Sequence, residues 1–253
     1  MAEPALSFRS HKNLYMKKIC IVTAVLGLFW MNNLYSQPIR CGVITHLEDS
    51  IHHHYIGIFI TQLIHEVYPT PFDLKTPLAE MTMNQLAQQY PHVEFVKIDE
   101  THYREHLAFL EGFSGRRVLR RKRLEWFETM KEKYDIANLL VISHVPVMYD
   151  IITHSRYPIY GYGIYNSIHP GRSVVYINME RYFFDETKVS NSFARNNLLH
   201  IDDLPRIIKQ NVYFNEEELL MLEPHILGLI EKQVWELLWD SELTQRMTRA
   251  FGR

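Results

Sequence analysis

The stretch Asn138–Val145, with the sequence NLLVISHV, decides the fold class of this chain. A continuous apolar run of this length is typical of a central strand that is buried on both faces of its sheet. Such a strand needs helices to cover it, and the preceding segment supplies one. Over residues 116–134, apolar side chains recur at roughly helical spacing, at Leu119, Leu124, Phe127, Met130 and Tyr134. We therefore predict a helix followed by a buried central strand.

Strands and helices alternate along the rest of the chain. We predict strands over residues 41–46, 51–61, 93–98, 160–165 and 173–184, and helices over 78–90 and around the apolar stripe Ile226, Ile230, Val234 and Leu237. Pro224 suits the first turn of that last helix. Interleaved elements indicate an α/β fold, bordering on α+β, in which helices cover a single mixed β-sheet and a C-terminal amphipathic helix closes the domain.

Two hairpins are expected within that sheet. The first joins the strand over 41–46 to the next one through the polar break Glu48-Asp49-Ser50, and the second turns at Pro170-Gly171. Residues 65–77 contain three prolines, so we expect an irregular connection there. The polar segment 185–215 is expected to run over the surface.

The composition excludes several classes of protein. Of the 253 residues, 47% are hydrophobic and 22% are charged, so the chain is neither disordered nor collagen-like. Its formal net charge of -2 gives no overall basic field for nucleic acid. Its 2 cysteines are too few for a disulfide framework or a cysteine-rich zinc module. The fold must therefore depend on an apolar core.

The N-terminal segment has the features of a secretory signal peptide. The basic sequence Met16-Lys17-Lys18 precedes an apolar run over residues 19–34, and the small residue Ser36 follows it. The most apolar part, Ile19–Met31, is shorter than the roughly 20 residues that a membrane-spanning helix needs. This pattern predicts export across a membrane.

The same pattern sets the domain boundaries. We expect Met16 to be the true start, so that residues 1–36 comprise an extension and a signal peptide that is cleaved after Ser36. The alternative is a signal anchor that is retained. Residues 37–243 are then expected to form a single mixed α/β domain, and residues 244–253 a flexible tail.

Several of these segments resemble a group of uncharacterised periplasmic proteins and lipoproteins of Gram-negative bacteria. The resemblance covers roughly residues 41–240. It depends on a first strand like CGVITHLEDSI, Gly57 in the second strand, an apolar strand like ANLLVISH, a GYG-type strand over 160–165, and a hairpin that leads to Asp185. It implies an envelope location and a mixed α/β domain, and it brings no catalytic residues. This chain departs from the group in its histidine-rich second strand and in lacking a lipobox.

Polar residues at strand ends form the first candidate site. His46 ends the first strand, Asp99 and His102 follow the strand over 93–98, and His144 ends the buried strand. If these strands are parallel, their carboxyl ends share the rim where open α/β sheets bind ligands. We therefore name His46, Asp99 and His144 as candidate ligands for zinc. The alternative is that polar residues simply begin the loops.

A histidine triplet forms the second candidate. On a strand, His52 and His54 share one face and His53 points to the other. Two imidazoles at this spacing can bind a metal or respond to acid pH. The alternative, which we favour, is a polar strand end at the solvent rim, because the nearby sequence offers no third ligand.

A basic cluster begins the helix over 116–134, and it comprises Arg116, Arg117, Arg120, Arg121, Lys122 and Arg123. Cations oppose the dipole at a helix N-terminus. The cluster is a candidate surface for an acidic partner or for lipid head groups. The alternative is a solvated helix face that pairs with Glu125 and Glu128.

These observations predict an exported periplasmic or envelope protein of a Gram-negative bacterium. We expect it to act by protein–protein contact, as a structural component of an envelope or secretion assembly, without a cofactor and without catalysis. No nucleophile motif occurs in the sequence. The alternative function is a zinc-dependent hydrolase that uses the strand-end His and Asp ligands.

Overall fold

The computed structural model describes residues 38–56, 63–149, 158–167, 172–186, 188–194, 199–200 and 213–251. The predicted signal peptide, the start at Met16, Gly57 and the turn at Pro170-Gly171 lie outside the described residues. None of the described helices is long and apolar enough to cross a membrane.

The first sheet has five strands and is centred on the predicted apolar strand. Its order is β11 (Val189–Phe193), β10 (Met179–Phe184), β5 (Asn138–His144), β1 (Ile39–His46) and β4 (Val93–Lys97). All seven residues of β5 are buried. Strand β1 pairs in parallel with both β4 and β5, and β10 is antiparallel to both β5 and β11. The prediction of a central strand buried on both faces is confirmed.

The second sheet also has five strands. Its order is β12 (Leu199–His200), β9 (Arg172–Tyr176), β8 (Gly163–Ser167), β2 (Ser50–Ile56) and β3 (Leu63–Pro69). Strand β2 is antiparallel to β3 and parallel to β8. A short antiparallel pair, β6 (Val147–Tyr149) and β7 (Pro158–Tyr160), completes the described strands.

Helices cover both faces of the first sheet. Their bounds are α1 (Lys75–Gln89), α2 (Thr101–Leu110), α3 (Arg116–Tyr134), α4 (Glu216–Leu220), α5 (Glu223–Leu238) and α6 (Ser241–Ala250). Apolar residues of α2 and α3 pack on the face that carries Ile44, Leu139 and Val141. Those of α1, α5 and α6 share a larger core with the other face and with the second sheet. Pro224 lies in the first turn of α5, as predicted.

The mixed α/β class is confirmed, but the prediction of one sheet is wrong. Strands β4 and β5 occupy both edges of β1, so β2 has no free edge on β1 with which to form the expected first hairpin. The chain leaves β1 at Leu47 and enters the second sheet at Ser50. The antiparallel partner of β2 is β3, which lies partly in the segment expected to be irregular.

The second hairpin, between β8 and β9, is confirmed, but the strand expected over 173–184 is divided. The chain passes from the second sheet to the first at Ile177 and Asn178, which lie between β9 and β10. The fully buried Gln233 of α5 satisfies the backbone at this break. Its Nε2 donates to the carbonyl of Ile177 at 2.6 Å, and its Oε1 accepts from the N–H of Met179 at 2.7 Å.

The flexible tail predicted from Thr244 is also wrong. Leu243, Met247 and Phe251 recur every four residues and are all buried. This spacing gives α6 an apolar stripe against the core. Asp240 caps the helix, since its Oδ1 accepts from the N–H groups of Glu242 and Leu243.

Candidate functional site

The carboxyl ends of β1, β4 and β5 meet at one rim because the three strands are parallel, as expected. The rings of His46 and His144 lie there, with centroids 5.6 Å apart. Asp99 does not join them. It is exposed, and its Oδ1 accepts the N–H of Thr101 at 2.7 Å at the start of α2. His102 instead lies on the exposed side of α2, where Lys133 Nζ donates to its Nε2 at 3.1 Å.

Two other carboxylates reach the rim histidines. Glu100 Oε2 lies 3.0 Å from His46 Nδ1, and Glu48 Oε1 lies 3.4 Å from His144 Nε2. Lys75 Nζ donates to Glu100 Oε1 at 2.6 Å. Burial lowers the pKa of His46 even though Glu100 raises it. The rim therefore holds a network of ion pairs and hydrogen bonds in place of the predicted His46, Asp99 and His144 set.

A cluster of three imidazoles lies on the second sheet. His52 and His54 share one face of β2, and β3 places His65 directly opposite His54. The rings of His54 and His65 are stacked 4.3 Å apart at 5°, and His52 Nδ1 lies 2.9 Å from His65 Nε2. One ring nitrogen from each residue lies within 4.8 Å of the others. We refer to His52, His54 and His65 as the imidazole cluster.

The cluster is held by polar contacts on two sides. His54 Nε2 accepts the N–H of Tyr160 at 3.2 Å, and the ring of Tyr160 stacks on His65 at 5.1 Å. His52 Nε2 lies 3.2 Å from Glu48 Oε1. The third member of the triplet, His53, is buried on the opposite face, where Asn166 Nδ2 donates to its Nε2 at 3.2 Å.

Two members of the cluster, His54 and His65, have lowered pKa values and are therefore held neutral. Burial, followed by the charges of His65 and His52, lowers the pKa of His54 to about 3. Burial and the charge of His52 also lower the pKa of His65. Burial raises the pKa of Glu48, but hydrogen bonds from His144 and His52 outweigh it, and the pKa falls to about 2. Neutral imidazoles beside an ionised carboxylate are the forms that bind a metal.

Sequence reasoning missed His65, the third member of the cluster, because the three prolines of residues 65–77 led us to expect an irregular connection there. The sequence nevertheless contains a pattern that is typical of a strand. The residues LIHEVY over 63–68 include the β-formers Ile64, Val67 and Tyr68, and only then does Pro69 end the strand. Pairing this run with β2 places His65 beside the triplet.

The basic cluster divides between two faces of α3. Arg116, Arg120 and Arg123 line a groove of about 530 Å³ together with Leu119, Tyr182, Val189, Asn191 and Phe193. The guanidinium of Arg123 lies 4.4 Å from the centre of the Tyr182 ring and donates to its hydroxyl at 3.2 Å. No carboxylate of the described residues lies within ion-pair distance of the three groove arginines.

The remaining basic residues face away from this groove. Lys122 Nζ and Arg121 Nε pair with Glu125 at 2.6 and 3.5 Å. Arg117 is exposed. The alternative of a solvated, paired helix face therefore describes Arg121 and Lys122, whereas the groove arginines form a concave basic surface.

Comparison with known proteins adds little to this geometry. No protein-family model matches the chain, and no curated protein sequence matches it. Lipoprotein GNA1162 from Neisseria meningitidis is 10% identical, with a TM-score of 0.25 over 77% of this chain and 99% of that one. An uncharacterised protein is 9% identical, with a TM-score of 0.30 over 78% of this chain and 86% of that one.

Proposed function

We propose that this chain is an exported envelope protein that binds an acidic, extended segment of another envelope protein. The observation that carries this proposal is the groove between α3 and β11, where Arg116, Arg120 and Arg123 face an edge strand. Their spacing of four and three residues places them along one face of the helix. Export is supported by the signal-peptide pattern over residues 16–36.

The edge strand explains why the partner is extended. Strand β11 pairs with β10 along one edge, and no other strand of the described residues pairs with it. An extended peptide can add to such an edge through backbone hydrogen bonds. Arginine side chains above the edge would bind its carboxylates through paired hydrogen bonds. Phe193, which is 53% exposed, supplies an apolar contact beside them.

The shape of the surface favours a protein over a membrane. Lipid head groups present a broad surface, which a flat or convex basic face meets best. The groove arginines lie in a concave site between a helix and a strand, and an aromatic ring forms part of its wall. A structural role in an envelope or secretion assembly fits a surface that captures one strand of a neighbour.

A pair of charge-reversal variants tests this proposal. Arg116→Glu with Arg120→Glu alters the groove, whereas Arg117→Glu with Arg121→Glu makes the same change of charge outside it. We expect affinity purification of the full chain from its native envelope to lose its partner with the first variant only. Binding of the partner to the unmodified chain should weaken as salt increases, because exposed charges are screened.

Photo-crosslinking identifies what occupies the groove. A photoreactive residue at Asn191, which lines the groove, should crosslink to an acidic segment of a protein, and one at the exposed Glu128 should not. Equal loss of the partner in both double variants would contradict the proposal. So would groove-dependent binding to anionic phospholipid vesicles without a crosslinked protein, since that outcome identifies a membrane surface.

A further inference from the structure

The imidazole cluster has the composition and spacing of a metal site. His52 and His54 are 8% and 2% exposed, and His65 is exposed at the opening of the cluster. Their ring nitrogens lie within 4.8 Å of one another. Stacked histidines can also serve as ordinary aromatic packing, and the positions of the individual ring nitrogens distinguish a metal site from it.

The contact between His52 and His65 has nearly the geometry of two zinc ligands. Their nitrogens Nδ1 and Nε2 are 2.9 Å apart and share a single proton in a hydrogen bond. At zinc–nitrogen distances of about 2.0–2.1 Å, two tetrahedral ligands lie about 3.3 Å apart. A metal can therefore replace the shared proton after the rings separate by a few tenths of an ångström and tilt so that both lone pairs point at the ion.

Glu48 lies where a carboxylate can orient His52. The Glu48 Oε1 atom lies 3.2 Å from His52 Nε2, on the side of the ring opposite the His65 contact. A proton on Nε2 donated to this carboxylate leaves Nδ1 with its lone pair directed toward the cluster. Metal-binding histidines are commonly held by a carboxylate in this manner.

His54 is the ligand that has to move. Its ring is parallel to that of His65, and its Nε2 accepts the N–H of Tyr160. Two parallel stacked rings cannot both direct in-plane lone pairs at one ion. Coordination therefore requires His54 or His65 to rotate, and rotation of His54 exchanges its bond with Tyr160 for a bond to the metal.

We propose that His52, His54 and His65 bind one divalent transition-metal ion, with Glu48 as the orienting carboxylate. A set of three imidazoles favours zinc, copper or nickel over magnesium and calcium, which prefer oxygen ligands. Because His65 lies at the exposed side, a fourth coordination position faces solvent. Three protein ligands with an open position are typical of zinc sites that bind a further small molecule.

Calorimetric titration of the purified, chelator-treated full chain with zinc chloride tests this proposal. We expect one zinc ion per chain, with binding reduced below detection in both His65→Ala and His65→Asn. Glu48→Gln should weaken binding by about 10- to 100-fold, because the orienting carboxylate is lost. His92→Ala removes an exposed histidine outside the cluster and is the matched control.

Folding is checked in each variant by circular dichroism, and His65 is suited to substitution because it is exposed. Loss of zinc in the folded His65 variants, with retention in His92→Ala, supports the site. Absence of stoichiometric zinc in the unmodified chain would overturn the proposal. Unchanged affinity in both His65 variants would also overturn it, since the ion would then be bound elsewhere.

Discussion

The two five-stranded sheets bury their inner strands with different side chains. In the first sheet, β5 buries a run of aliphatic residues between two layers of helices. In the second sheet, β2 buries three consecutive histidines, His52, His53 and His54. A buried polar group is costly unless it has hydrogen-bonding partners. The inner strand of the first sheet therefore has an aliphatic environment, whereas that of the second sheet depends on hydrogen-bonding partners for its histidines.

Replacing one glycine in each sheet with alanine should give the largest difference in stability between the two sheets. Gly163 begins β8 at φ +151°, and a Cβ there would overlap the backbone carbonyl of His52. In the first sheet, a Cβ at Gly42 would lie 2.7 Å from the Cδ1 atoms of Ile136 and Ile98, which are flexible side-chain ends. The backbone of a paired strand cannot move away from an added Cβ as easily as the end of a side chain can. We expect Gly163→Ala to cost at least about 3 kcal/mol and Gly42→Ala about 1–2 kcal/mol.

Urea unfolding of the two variants measures this difference. The order of the two effects is the informative result, because both substitutions add a single methyl group. A larger loss for Gly42→Ala would show that the contact between β2 and β8 tolerates separation. It would then contradict the expectation that the close approach of Gly163 to the backbone of His52 cannot be relieved.

Acid should weaken the second sheet through His54. Its pKa is about 3 in the folded chain and about 6.5 when unfolded, so the unfolded state binds the additional proton between these values. Stability is therefore full above about pH 6.5 and falls as the pH decreases toward 3. Replacing His54 with Asn should reduce the slope of unfolding free energy against pH by up to about 1.4 kcal/mol per pH unit.

Denaturant unfolding at several pH values between 7 and 4 provides this slope. His92→Ala is again the control, because it removes an exposed histidine that lies outside the cluster. An identical slope in the His54→Asn variant and the unmodified chain would show that His54 is not protonated on unfolding in this range.

The elements that sequence predicted well are those defined by local burial. The apolar run of β5 and the helical spacing of apolar residues in α3 each indicate which side chains are buried, whatever the rest of the chain does. The shared rim of β1 and β5 was predicted only on the condition that their strands run parallel, and the structure meets that condition. The predictions of β5 and α3 needed no knowledge of distant pairing.

The wrong predictions concern features that depend on pairing between segments far apart in the sequence. The polar residues Glu48 to Ser50 are equally suited to a hairpin turn and to a change of sheet, and only the occupied edges of β1 decide between them. Asp99 and Glu100 are adjacent acids, but Asp99 accepts the N–H of Thr101 at the start of α2, whereas Glu100 reaches His46. The groove beside α3 was missed because β11 follows the helix by more than fifty residues.

The central claim is that the second sheet carries a metal site and that the first sheet does not. Hydrogen–deuterium exchange of the full chain, with and without zinc chloride, tests it most directly. Zinc should slow amide exchange in β2 and β3 and leave β1 and β5 unchanged, because ligands on both β2 and β3 would hold these strands together. The same protection in β1 and β5, or none in β2 and β3, would contradict the account.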